Sequence, residues 1–154
     1  MEEDKKNENS SEKKKTTSEV FLTERKLWYN IVKEMGTRFK KIEDLALVQI
    51  DLYSRRQEAV EYMFRLISIH SLLKRKYTKE WQAAYDRVGQ NEDLRYNDKE
   101  KTKGANTATM EIKFKMEVVQ THIDFFRETM KSIDSMIFGV KHRIEIENFK
   151  IGMK

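Results

Sequence analysis

Cations and aromatics alternate in one short stretch of this chain. Lys74, Arg75 and Lys76 are followed by Lys79 and Arg87, and Tyr77, Trp81 and Tyr85 are interleaved with them. Cations neutralise phosphates and aromatic faces stack on bases, so the combination is that of a single-strand nucleic-acid site. A second cluster, Lys99, Lys101 and Lys103, follows a few residues later. The opposing reading is structural. Tyr77 and Trp81 share a helical apolar seam with Leu73 and Ala84, where a residue is more often core than a stacking platform, whereas Tyr85 lies beside the seam. A third cluster, Lys141-His142-Arg143, suits a partner or the dipole at a helix C-terminus better than DNA.

Other chemistry is thin. The three histidines, His70, His122 and His142, include no pair at metal-ligand spacing with a carboxylate between, and they read as packing or surface residues. His70 falls on a seam, where one polar residue can fix register or oligomer state. The carboxylates recur at i, i+4 from lysines, as on a solvated helix face. Neither a phosphate-binding glycine loop nor a nucleophile elbow is present. The chain has no cysteine, hence no thiolate metal site and no disulfide frame. The expectation is a protein that is not an enzyme and uses no cofactor or metal.

The clusters must be held by helices. Ile112, Met116, Val119, Ile123, Phe126, Met130, Ile133, Ile137, Val140 and Ile144 step by four and three without a miss. That is one apolar seam on an α-helix packing at a shallow angle. Continuous over residues 105–148, the helix spans roughly 65 Å at ~1.5 Å per residue and needs an equally long partner. The partner is a second stretch, from about Lys40 to Val88, with the seam Leu45, Val48, Leu52, Ala59, Met63, Leu66, His70, Leu73, Tyr77, Trp81, Ala84 and Val88. Ser54-Arg55-Arg56-Gln57 interrupts it, which predicts a bend, a break or an exposed crossing. Gly89 is expected to end this helix as a left-handed cap. The polar run 90–104 reads as the connecting loop, with Asn106 or Thr107 capping the last helix. A shorter first helix carries Val20, Phe21, Leu27, Trp28, Ile31, Val32 and Met35. Thr17, Ser18 or Thr23 is its expected cap, and Gly36 is expected to stop or break it. Such a helix is too short to be independent and must dock on the others. Residues 1–16, charged and apolar only at Met1, are expected to form a disordered tail ahead of a single helical domain over 17–154.

The expected fold is therefore all-α: a long antiparallel helical hairpin with a shorter N-terminal helix, assembling into a homo-oligomer. The oligomer is inferred from apolar residues off the main seam, namely Val118, Phe125, Met136, Phe138, Ile146 and Phe149, because soluble monomers rarely leave such a patch bare. Composition agrees. The chain of 154 residues has no proline, a charged fraction of 37% and a formal net charge of +5, a balance that favours an acidic partner such as nucleic acid. No run is apolar enough for a signal peptide or a membrane span, and a reducing cytoplasm suits the composition.

The ending from Phe138 to Gly152 resembles the C-terminus of the UvsY family, the recombination mediators of T-even-type phages. The resemblance rests on Phe138, Val140, Lys141, Ile144, Glu145, Phe149 and Gly152. Ile123-Asp124-Phe125-Phe126 and Met130-Lys131-Ser132-Ile133 resemble that family's helix, and Leu72 to Trp81, ending in Gly89, resembles its basic-aromatic segment. The likeness covers about residues 60–152. It departs near Ala83-Ala84-Tyr85, where the family has paired tyrosines, and at Glu80, where a cation is common; Lys79 matches best and Tyr85 second. The resemblance implies a non-enzymatic accessory protein forming ring-like homo-oligomers in the cytoplasm of the host cell. It would bind single-stranded DNA and help a RecA-like recombinase replace the single-strand-binding protein. The competing reading is a scaffolding coiled-coil protein of a phage assembly, with the same seams and no DNA binding. A membrane-surface role fits poorly, since the long seams face inward and leave no exposed basic-apolar helix.

Overall fold

The computed structural model describes residues 16–89 and 97–152. They form three α-helices, α1 (Thr17–Arg38), α2 (Leu45–Gly89) and α3 (Asp98–Gly152), with no strand among the described residues. Apart from Thr16, the expected tail lies outside the described residues, and so do residues 90–96 of the expected loop.

The helix starts differ from expectation for one physical reason. Thr16 caps α1, in place of Thr17, Ser18 or Thr23: its hydroxyl accepts from the Glu19 N–H at 3.3 Å, and Glu19 Oε2 accepts from the Thr16 N–H at 2.7 Å. Asn97 does the same for α3, exchanging bonds of 3.0 Å with Glu100 in each direction. These reciprocal pairs satisfy orphan backbone donors, and they outrank the search for the first apolar residue. Consequently Lys99, Lys101, Lys103 and Gly104 are helical rather than loop, and Asn106 and Thr107 lie inside α3. Gly36 does not interrupt α1, which continues to Arg38. No glycine among the described residues takes a positive φ, so none makes a left-handed stop, although α2 does end at Gly89. The start of α2 falls at Leu45 rather than near Lys40, because turns occupy the interval, with Lys40 N–H on Thr37 O at 3.2 Å and Lys41 N–H on Arg38 O at 3.0 Å.

The seam interruption at Ser54–Gln57 is an exposed crossing within a continuous helix. Arg56 Nε reaches Asp134 of α3 at 2.5 Å, and Arg55 pairs with Glu58 at 2.8 Å on its own helix. Elsewhere the seam of α3 is used as its spacing predicts. Ile112, Val119, Ile123, Phe126, Ile133 and Val140 are buried, and Met116, Met130, Ile137 and Ile144 are half-buried.

Two apolar clusters hold the helices together. Leu45, Val48 and Leu52 of α2 join Ile133 and Val140 of α3 and Met35 of α1. Further along, Ala59 and Leu66 join Val119, Ile123, Phe126 and Phe21. Beyond these, Trp81 meets Asn106 and Val88 meets Gly104. α1 lies over both clusters. Trp28 sets its edge on Phe126 at 5.3 Å, and Arg143 donates to the carbonyls of Phe39 at 2.8 Å and Lys40 at 3.1 Å, holding the C-terminal end of α1. No helix among the described residues is long and apolar enough to cross a membrane.

Candidate nucleic-acid interface

The cations of α2 lie on its C-terminal half, where the seam has turned Tyr77, Trp81, Ala84 and Val88 toward α3. Lys74, Arg75, Lys76, Lys79 and Arg87 are therefore left pointing outward, and all five are exposed. Lys74, Arg75 and Lys79 line a shallow open recess with Ser71 and Thr78, and among the described residues they make no ion pair. Lys76 differs, since Glu80 one turn on pairs with it at 3.5 Å.

Early helix formation in α3 brings the second cluster alongside. Lys99 and Lys103 line another open recess with Asp98, Thr102, Asn106 and Thr107. The two recesses sit at the same end because Trp81 Nε1 donates to Asn106 Oδ1 at 2.9 Å and Tyr85 OH donates to Asp98 Oδ1 at 3.1 Å. That bond to Asp98 raises the Tyr85 hydroxyl above its usual pKa, so it is a neutral donor throughout the ordinary pH range.

The aromatics have a different role from the cations. Trp81 and Tyr85 stack on each other with centroids 5.2 Å apart and planes 18° apart, and Lys101 Nζ lies 5.8 Å from the Tyr85 centroid. Trp81, Tyr85 and Lys101 are half-buried. They join the two helices and fix the spacing of the exposed cations around them. Asn106 went unrecognised in this role; its signal is a lone amide on a face that otherwise carries Lys99, Lys103 and Thr107, opposite a tryptophan.

The remaining candidates separate into two sets. Val118, Phe125 and Met136 are half-buried against this chain's own clusters, while Phe138, Ile146 and Phe149 are exposed, the last with 70% of its surface accessible. Lys141 and His142 are exposed, but Arg143 is half-buried, donates to the Phe39 and Lys40 carbonyls just after α1, and stacks over Phe39 at 5.7 Å. His122 is the larger surprise. It is fully buried, at the junction of all three helices, and it is bonded to both Glu24 and Arg25. Its sequence signal is position: it falls three residues after Val119 and four before Phe126, beside the seam.

Among the described residues no three His, Asp or Glu side chains are grouped to hold a metal ion. What the end of the molecule offers is exposed positive charge on rigid helices, suited to phosphate groups. Comparison with protein-family models, curated proteins and solved structures finds no match to this chain.

Proposed function

We propose that this protein is a non-enzymatic, single-stranded-DNA-binding mediator of recombination and repair. It would help load a RecA-like recombinase onto DNA covered by single-strand-binding protein. In this reading α2 and α3 are the antiparallel arms of a hairpin, and several hairpins associate into a homo-oligomer. The observation that carries the reading is the meeting of two separate lysine clusters at one end, through Trp81–Asn106 and Tyr85–Asp98. Pairs from Arg56–Asp134 to Val88–Gly104 support the hairpin, because residue numbers rise on one helix as they fall on the other.

The oligomer is supported by apolar surface that the chain does not cover itself. Phe138, Phe149 and Ile151 on α3, and Ile50, Phe64 and Leu72 on α2, are all exposed. Association of subunits would bring several basic ends to one strand, and avidity would supply the affinity that a few cations lack. The resemblance at Phe138–Gly152 and Leu72–Trp81 points to the same role.

The test is fluorescence anisotropy of labelled oligothymidine against a duplex of equal length across a salt series. The expected result is single-strand preference, with affinity falling steeply as salt rises. Absence of binding at low salt would overturn the DNA reading and leave a scaffolding coiled coil as the better account.

A further inference from the structure

We propose that His122 is a protonation-controlled latch that holds α1 in the groove between α2 and α3. The imidazole is fully buried, and partners from α1 and α2 surround it. From α1, Arg25 Nε donates to His122 Nδ1 at 3.2 Å, Glu24 Oε2 lies 2.9 Å from Nε2, and Phe21 stacks on the ring at 4.1 Å. From α2, Tyr62 sets its edge to the ring at 5.9 Å and donates its hydroxyl to the same Glu24. Arg65 adds a positive charge near Tyr62. α3 supplies Phe125 and Phe126 around the ring.

The bonding assigns the protons. An arginine Nε can only donate, so Nδ1 must be the acceptor and Nε2 carries the hydrogen given to Glu24. The neutral ring thus satisfies both partners at once. A second proton has only Nδ1 to go to. It would break the bond from Arg25 and place two cations face to face in a site that is largely apolar. Glu24 offsets part of that cost, but it is already shared with Tyr62. Burial, the largest effect, accordingly lowers the His122 pKa from its ordinary 6.5.

The sign follows by linkage. Released α1 leaves His122 with an ordinary pKa, so the released state binds the proton more readily than the docked state. Docking is strongest above about pH 6.5 and weakens as pH falls from there through the depressed value. Arg143 still holds the Phe39 carbonyl at the far end, so release begins at the Phe21 end of the helix and runs on through Trp28, which lifts from Phe126.

The full chain carries two tryptophans, Trp28 on α1 and Trp81 at the basic end. With 5-fluorotryptophan in both, fluorine NMR reads them separately. Between about pH 7.5 and about pH 5, the Trp28 resonance should move reversibly toward its solvent-exposed position while Trp81 stays in place. His122→Gln should flatten the response. Arg25→Met should weaken it, since Nδ1 then takes a proton without facing a cation, and this variant serves if His122→Gln releases α1 at every pH. The proposal is overturned if Trp28 does not move, if both resonances move together as in global unfolding, or if Arg25→Met leaves the midpoint unchanged.

Discussion

The middle of the molecule and its basic end use the same two long helices, yet they are built differently. In the middle three helices meet, and Leu66, Ile123, Phe126 and His122 are almost completely withdrawn from solvent. At the basic end, among the described residues, only α2 and α3 meet. There Tyr77, Trp81, Ala84 and Val88 sit on the seam of α2 but are only half-buried. Two cylinders touch along one line and leave their flanks open; a third helix closes one flank. The end therefore relies on polar joints, Trp81 to Asn106 and Tyr85 to Asp98, where the middle relies on packing. Open flanks and outward cations are what the proposed strand binding needs of that end.

The sharpest way to break this contrast is to remove a large side chain from the middle. Phe126→Ala should cost about 3–5 kcal/mol in denaturant unfolding, as core cavities of this size do. A loss under about 1 kcal/mol would mean that the three-helix junction is not the stabilising core.

The charged end should behave in the opposite way. Replacing Lys74, Arg75, Lys76 and Lys79 together by alanine should change stability by little, since surface substitutions mostly fall within about 0.5 kcal/mol. Single-strand affinity should nevertheless fall tenfold or more, and the slope of log affinity against log salt should shrink by up to about 3, from ~0.7 per lost phosphate contact. Unchanged binding in the salt-series anisotropy assay would move the interface elsewhere.

A smaller effect separates the joints from the cations. Asn106→Leu leaves the Trp81 N–H without its partner and should cost about 1 kcal/mol at this exposed site. Single-strand affinity should drop only modestly, as the cations keep their charge but lose their fixed spacing. The smallest change concerns α1. Nothing lies within 4 Å of where a Gly36 Cβ would stand, so Gly36→Ala should stabilise α1 by about 0.5–1 kcal/mol through helix propensity alone. Hydrogen exchange along α1 would report it.

Much of this architecture was legible in the chain. The seam of α3 could be read residue by residue, because a period near 3.6 leaves one consistent face and no proline interrupts it. The outward direction of Lys74, Arg75 and Lys79 is set by the seam of α2, where Leu73, Tyr77 and Trp81 take the inner face. Helix ends were harder to read. Gly36 and Gly104 look like stops in isolation, but a glycine ends a helix only where the backbone turns left-handed, and neither does. Gly104 is instead where α3 approaches Val88, whose Cγ2 would stand 3.1 Å from an added Cβ. The polar start of α3 shows no apolar face, so its helicity could be recognised only from the cap at Asn97–Glu100.

The sequence by itself determined the all-helical class, the buried faces of the long helices and the positions of the lysine clusters, because each depends on local periodicity. Tertiary structure alone decided that Trp81 and Tyr85 join helices and that His122 is buried under Glu24 and Arg25. Those relations connect residues from about 13 to 98 positions apart. A helical repeat specifies which way a side chain faces on its own rod. Which residue of another rod it meets depends on how the rods are packed.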